Sequence, residues 1–188
     1  MISIAIPYYS KMKDADFFMK RCLKSIENQS YKDYEIVITE EGSASHNTNE
    51  AIKKSKGDLI KILCMDDYLA HGNSLKEIVD NFRGEWLISG CSNNPNPYYT
   101  GDIHQGNNKL GGLSAITIKN NNPLLFDESL FWLLDCEYYR RMYDKYGFPV
   151  ILNGVNVIIG EGEHQATNML QTELKRQEVI KVTQMYAR

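Results

Sequence analysis

The stretch Asp58–Asp67 reads DLIKILCMDD: a hydrophobic run that ends in two adjacent carboxylates. Leu59, Ile60, Ile62 and Leu63 do not alternate with polar residues as a half-exposed strand would, so Asp58–Met65 reads as a strand covered on both faces, the habit of parallel sheets. Its carboxyl end delivers Asp66 and Asp67. Upstream, Ser3–Pro7 is a second apolar run, closed by Pro7-Tyr8-Tyr9. Between Asp14 and Gln29, apolar Ala15, Phe18, Met19, Cys22, Leu23 and Ile26 recur at helical spacing, with Asp14 or Asp16 as the expected cap. Tyr34–Thr39 is β-branched strand sequence followed by the turn residues Glu40, Glu41, Gly42 and Ser43. Asn47–Lys56 carries helix formers and stops at Gly57. The order strand, helix, strand, helix, strand with right-handed crossovers makes the three strands parallel, and ligands of such sheets sit beyond the carboxyl ends of the strands. Tyr8, Glu41 and Asp66 then share one edge.

Downstream, Ser74–Phe82 is a short helix with Ser74 and Glu77 spaced as a capping box and Gly84 as its stop. Trp86–Gly90 is a fourth strand. Ser92–Leu110 (SNNPNPYYTGDIHQGNNKL) is too long and too polar for an ordinary connection, which marks it as a functional or mobile loop. Leu113–Ile118 is a strand, Trp132–Tyr146 a helix ended by Gly147, and Val150–Leu152 and Val155–Ile159 are two short strands. Thr167–Tyr186 is a terminal helix with a partial apolar stripe. The expected organisation is one α/β domain over 1–188, its first half about 1–90, its second about 91–166, and a C-terminal helix about 167–186.

The composition fits one globular unit. The 188 residues carry 24 acidic and 21 basic side chains, 43% hydrophobic residues and a net charge of −3, so there is no general basic field to attract nucleic acid. A chain of this length buries roughly 70% of its unfolded surface without disulfide staples. Cys22, Cys64, Cys91 and Cys136 match neither zinc-knuckle nor CxxC spacing and read as reduced, mostly buried thiols. The opening MISIAIPYYS has neither a basic leader nor an apolar run long enough for a signal peptide or a membrane span, so the expected location is cytoplasmic with no integral membrane segment.

Several chemistries lack their motifs: there is no GxGxxG, no GxxxxGK[ST], no GxSxG and no HExxH. Carboxylates remain. Asp66 and Asp67 at a strand end suit a hard divalent cation whose shell is completed by diphosphate oxygens, although an isolated Asp pair also caps turns. Taken in order, SIAIPYYS, CLKSIENQSYKDYEIVITEEGS, NEAIKKSKGDLIKILCMDD and FDESLFWLLDCEYYRRM resemble the family 2 glycosyltransferases over roughly residues 2–142.

That resemblance implies a GT-A fold, the nucleotide-diphospho-sugar transferase fold, with a mostly parallel central sheet flanked by helices. It also implies an inverting transfer of a sugar from a nucleotide diphosphate sugar to a glycan or other hydroxyl acceptor, with Mn²⁺ or Mg²⁺ as cofactor. Carried over by position, Pro7, Tyr8 and Tyr9 line the base and ribose pocket, where an aromatic ring offers a stacking face, and Glu41 contacts the base. The family's usual Asp-Asp is here Glu40-Glu41, which leaves the preferred base open; UDP is the expected nucleotide, with GDP and dTDP as alternatives. Asp66 belongs to both the nucleotide and the metal site, Asp67 and the late His164 to the metal site. Where the family commonly has Asp-x-Asp-Asp, this chain has Cys64-Met65-Asp66-Asp67, and Thr48-Asn49 stands where Arg-Asn is frequent.

Asp135 matches the family's general base, the carboxylate that takes the acceptor's proton. Without the resemblance, pairing with Arg140 or Arg141 would be its ordinary role. Glu137 lies about 200° further round the helix and is the weaker candidate. Gly112 and Trp132 are the acceptor-side candidates. A chain this short leaves the acceptor site open or completed by a second protomer, and a hexosyl donor is expected. The alternative reading is a degenerate GT-A domain that binds a nucleotide sugar or glycan without turning it over.

Overall fold

A computed structural model describes residues 1–162 and 165–187. Its centre is a seven-stranded sheet of β1 (Ile2–Pro7), β2 (Tyr34–Thr39), β3 (Leu59–Ile62), β4 (Tyr68–Leu69), β5 (Trp86–Cys91), β6 (Ile116–Lys119) and β7 (Val150–Ile158), in the order β2-β1-β3-β6-β5-β7-β4. β1 runs parallel to β2 and β3, and β5 runs parallel to β7. β6 is antiparallel to β3 and to β5, and β4 is antiparallel to β7. Most strands therefore share one direction, and the two that reverse it are short. β6 returns beside β5 after the long excursion that follows Cys91; β4 is a two-residue strand just past the acidic turn that pairs with β7.

The helices are α1 (Ala15–Glu27), α2 (Ala44–Lys54), α3 (Ser74–Asn81), α4 (Leu134–Tyr146), α5 (Ala166–Met169) and α6 (Thr172–Tyr186). Burial of consecutive residues on β1 and β5 shows that both faces of the sheet are covered. One hydrophobic cluster extends from Ile2 on β1 through Trp86 and Tyr139 to Val182 on α6. All four cysteines are free thiols.

Local differences from the sequence reading have identifiable causes. α2 begins at Ala44 because the Ser43 hydroxyl accepts from the His46 N–H at 3.3 Å and caps the helix there. Asp14 precedes α1 in a left-handed conformation and its side chain caps nothing. The Ser74–Glu77 box does not form, since the Ser74 hydroxyl donates instead to the Asn156 carbonyl at 3.0 Å. Residues 113–115 form a 3₁₀ turn rather than strand. The two expected late strands are one strand, β7, carrying a register irregularity opposite Ser89–Cys91. There the backbones of Gly90 and Gly154 press together, and a Cβ on Gly90 would lie 2.1 Å from the Gly154 carbonyl oxygen. The expected terminal helix is divided into α5 and α6.

Ser92–Leu110 is ordered by its own polar residues. Asn107 Nδ2 donates to both Asp102 carboxylate oxygens at 2.9 and 3.1 Å, Asn94 Nδ2 donates to the Lys109 carbonyl at 2.8 Å, and Tyr99 stacks on Tyr143 of α4 at 4.2 Å. The excursion therefore lies against α4.

Candidate active site

The acidic turn follows β3. One atom from each of Cys64 (Sγ), Asp66 and Asp67 (a carboxylate oxygen) falls within 4.8 Å of the others. Asp67 is buried; it accepts from the Gly160 N–H at 2.7 Å and is hydrogen-bonded to the Ser114 hydroxyl. Burial, followed by the charge of Asp66, pushes the Asp67 carboxyl up to about 7. Burial raises the Cys64 thiol as well, which keeps its sulfur protonated and a poor partner for a hard cation. The two carboxylates fit Mn²⁺ or Mg²⁺ by their chemistry; the thiol does not.

Beneath the turn lies a residue the sequence reading passed over. Lys61 on β3 is wholly inaccessible to solvent, and its ammonium donates to the Ser114 carbonyl. Burial lowers it to about 8, with Cys91 and Asp67 acting in the opposite direction. A lone lysine inside the apolar run LIKIL was the available signal, because a buried ammonium costs several kcal/mol unless compensated. The Ser114 hydroxyl in turn accepts from the Cys64 N–H at 2.8 Å, so this single residue ties β3, the acidic turn and the 3₁₀ turn together.

Two further contacts brace the turn. Arg21 of α1 donates to the Asp66 carbonyl at 2.5 Å while its guanidinium lies over the Tyr68 ring, 4.6 Å from the centroid. Gly160 packs so close that a Cβ on it would sit 2.2 Å from the Asp66 carbonyl oxygen.

Pro7 ends β1, and the loop beyond it is held to this turn by the Tyr9 N–H, which donates to Met65 Sδ at 3.2 Å. Tyr9 is exposed and lines a hollow of about 530 Å³ with Met12, Phe18, Gly162 and Met169. The Tyr8 carbonyl accepts from Asn47 Nδ2 at 2.8 Å, and Asn47 Oδ1 accepts from the Glu41 N–H at 3.1 Å. Asn47 thus joins the ends of β1 and β2, a role its place in a helical stretch did not announce. The Glu41 carboxylate is paired with Lys54 at 2.8 Å on the surface.

Asp135 stands in the first turn of α4, half-buried. Its Oδ1 accepts from the Cys136 N–H at 2.7 Å and its Oδ2 from Asn108 Nδ2 at 3.0 Å. Burial raises its carboxyl above the ordinary range, against the lowering effect of those bonds. Neither arginine claims it: Arg140 pairs with Asp144, and Arg141 forms two bonds, of 2.6 and 2.7 Å, with Glu137. Glu137 is itself buried and also accepts from the Tyr186 hydroxyl. The two carboxylates on this turn therefore differ: one is in a neutral hydrogen-bonding setting, the other in a closed ion pair.

A short segment connects the acidic turn to Asp135. Gly111 accepts from the same Asn108 amide that reaches Asp135, the Gly112 carbonyl accepts from the Tyr139 hydroxyl at 2.9 Å, and Ser114 holds Asp67 and Cys64. Asn93, Asn94, Asn108, Lys109, Gly111 and Gly112 line a polar cleft of about 370 Å³. Trp132 is not among its lining residues; its N–H donates to Glu178 and its ring lies beneath the Lys175 ammonium at 5.8 Å. Asn49 was noted only as part of the Thr48-Asn49 departure. Its Nδ2 donates to the Phe126 carbonyl and to Glu128, and its Oδ1 accepts from the Phe126 N–H, so it fixes the segment leading to α4. His164 lies outside the described residues.

The chain has the GT-A fold, a mixed α/β sheet flanked by helices. Residues 3–89 match the family model described as glycosyl transferase family 2. Among solved structures, S. aureus TarS 1–349 in complex with UDP superposes with a TM-score of 0.66 at 14% identity, covering 97% of this chain and 70% of that one. TarS 1–349 in complex with UDP-GlcNAc gives 0.71 at 14% identity, with 96% and 65% covered. The mannosyltransferase PcManGT from Pyrobaculum calidifontis, in complex with GDP-Man and Mn²⁺, gives 0.70 at 12% identity, with 98% and 63% covered. At such identities the likeness is one of fold, and the chain spans roughly two thirds of these proteins. No curated protein sequence matches the chain. No described helix is long and apolar enough to cross a membrane.

Proposed function

We propose that this domain transfers a sugar, a hexose in the simplest case, from a nucleoside diphosphate sugar to a hydroxyl acceptor by a single inverting displacement, with Asp135 as general base. The observation that carries the reading is the segment Gly111–Ser114, which is bonded at one end to the acidic turn and at the other to the amide that orients Asp135. One short piece of backbone thereby couples the carboxylates suited to a metal-diphosphate group and a carboxylate suited to proton abstraction.

In this reading Asp66, with Asp67 beside it, holds Mn²⁺ or Mg²⁺, which when bound stabilises negative charge on the departing diphosphate. Pro7, Tyr8 and Tyr9 form the wall for base and ribose, with Glu41 at the base edge; His164 is a further candidate on the metal side. The acceptor hydroxyl enters through the polar cleft at Asn108 and Gly112 and gives its proton to Asp135. The raised affinity of Asp135 for a proton brings it nearer to the range in which a base works at neutral pH. Asn108 orients the carboxylate without neutralising it. Trp132, in the turn that leads into α4 and bonded to Glu178 of α6, is a candidate platform for a more distant part of the acceptor. The cleft is open, so a second copy of the chain is a candidate for completing it, and the cytoplasm is the proposed setting.

The test is titration calorimetry with UDP, GDP and dTDP, each with and without Mn²⁺, repeated on Asp66→Ala. Metal-dependent binding of one nucleotide, weakened about 100-fold by the substitution, is expected; indifference to both metal and substitution would refute the donor site. Cys64 in the place of the family's first carboxylate favours a second reading, a binding domain without turnover. Metal-dependent hydrolysis of the bound donor separates the two.

A further inference from the structure

The turn that leads into α4 is held by a residue from the far end of the chain. Glu178 on α6 accepts three consecutive backbone N–H groups: Phe131 at 2.8 Å through Oε1, and Trp132 and Leu133 at 2.9 Å each through Oε2. The residue at the cap position of α4, Leu133, has no side chain able to do this. We propose that Glu178 is a positioning residue for transfer: its carboxylate fixes the backbone from which α4 presents Asp135 to the acceptor.

The inference rests on the reading of Asp135 as base, and three observations support it. First, α6 is held by polar groups as well as by apolar packing: Val182 is buried and Val179 and Tyr186 pack against the core, while Leu174, Ile180 and Met185 are exposed. Second, the other polar contacts of α6 converge on the same short region. The Lys181 ammonium donates to the Ser129 carbonyl and hydroxyl at 3.2 and 2.7 Å, and the Tyr186 hydroxyl donates to Glu137 at 2.8 Å. Third, one of the two bonds that orient Asp135 comes from its own helix, the Cys136 N–H, so the direction of the carboxylate follows the setting of this first turn. A carboxylate that takes up three successive N–H groups is a strong, directional hold. An amide at the same place has one acceptor oxygen and would leave part of the triplet without a partner.

The experiment uses the full chain with Glu178→Ala, Glu178→Gln, Asp135→Asn and, as a control on α6, Tyr186→Phe. Binding of UDP and GDP with Mn²⁺ is followed by calorimetry, release of nucleotide from UDP-glucose, UDP-GlcNAc and GDP-mannose gives the rate, and ¹³C NMR follows the Asp135 carboxyl against pH. In both Glu178 variants nucleotide affinity is expected to stay within about twofold, the rate to fall at least about tenfold and the Asp135 titration to move toward the ordinary carboxylate range. Tyr186→Phe lowers the melting temperature but leaves rate and titration in place. A Glu178→Ala protein whose Asp135 titration is unmoved overturns the proposal, even if it melts earlier, as does a Tyr186→Phe protein with the same loss of rate. Full activity in Asp135→Asn would instead overturn the reading of Asp135 as base, whatever Glu178 does.

Discussion

Around the acidic turn, polar groups are held from inside the sheet: Lys61 and Ser114 are buried, and the Asp67 carboxylate is anchored by a backbone N–H. Around Asp135 the holds come from segments remote in sequence: the half-buried Asn108 from the long loop and Glu178 from α6, and the buried Asn49 from α2, which fixes the segment leading to α4. The first region shares its supports with the fold and is altered only by disturbing the core. The second is set by individual side chains on loop backbone, so one substitution there can change position and leave the sheet intact.

The sharpest way to break the comparison is at Asp135. Asp135→Asn keeps the size of the side chain but gives up one of its two accepted hydrogen bonds and its basicity, so transfer or donor hydrolysis should fall by about 10³-fold, within the range of general base catalysis. Nucleotide affinity should be unchanged, as checked by steady-state rates beside calorimetry. A parallel loss of binding would show that the two regions are not separable.

Next in size is Gly160→Ala. A Cβ cannot coexist with the Asp66 carbonyl at 2.2 Å, so the backbone must yield. Metal-dependent nucleotide binding should weaken by about tenfold, the effect typical of losing support behind a ligand, while the Asp135 titration stays put. Unaltered affinity would mean that the turn tolerates displacement.

The smallest effect sharpens the picture of the buried supports. Folding lifts the Asp67 carboxyl from its ordinary 3.8 to about 7, so between those values the folded chain retains a proton that the unfolded chain has lost. Its contribution to stability is full below the lower value and is lost as pH rises through the upper one. Asp67→Asn cannot ionise and escapes that loss. Without metal, the variant should melt about 2–4 °C above the parent at pH 8 and within about 1 °C of it at pH 4, measured by thermal denaturation. A difference that does not grow with pH would contradict the assigned burial.

The contrast also explains what could be read from the chain. Ser3–Pro7 and Asp58–Asp67 declare themselves because a strand covered on both faces is almost wholly apolar, and its carboxyl end is then fixed; Tyr34–Thr39, an edge strand with Ile36 and Ile38 exposed, is legible by its β-branched residues. Residues from β6 onward were harder, since strand reversal and the β7 irregularity depend on how Gly90 and Gly154 meet, a contact no local pattern encodes. Asp135 was visible by its resemblance, but its supports were not. Asn49 and Glu178 act through bonds to backbone, and a backbone N–H looks the same at every position, while Asn108 reaches Asp135 from a distant loop. Lys61 was legible in principle, as an ammonium in a run with no room for water.

The contact between Gly160 and the Asp66 carbonyl leaves no slack between the acidic turn and the chain that leaves β7 for α5. The two behave as meshed parts. The next residues, Glu161 and Gly162, border the hollow at Tyr9 and Met169. The fit between the turn and the wall of that hollow thus depends on a residue whose contribution is to have no side chain.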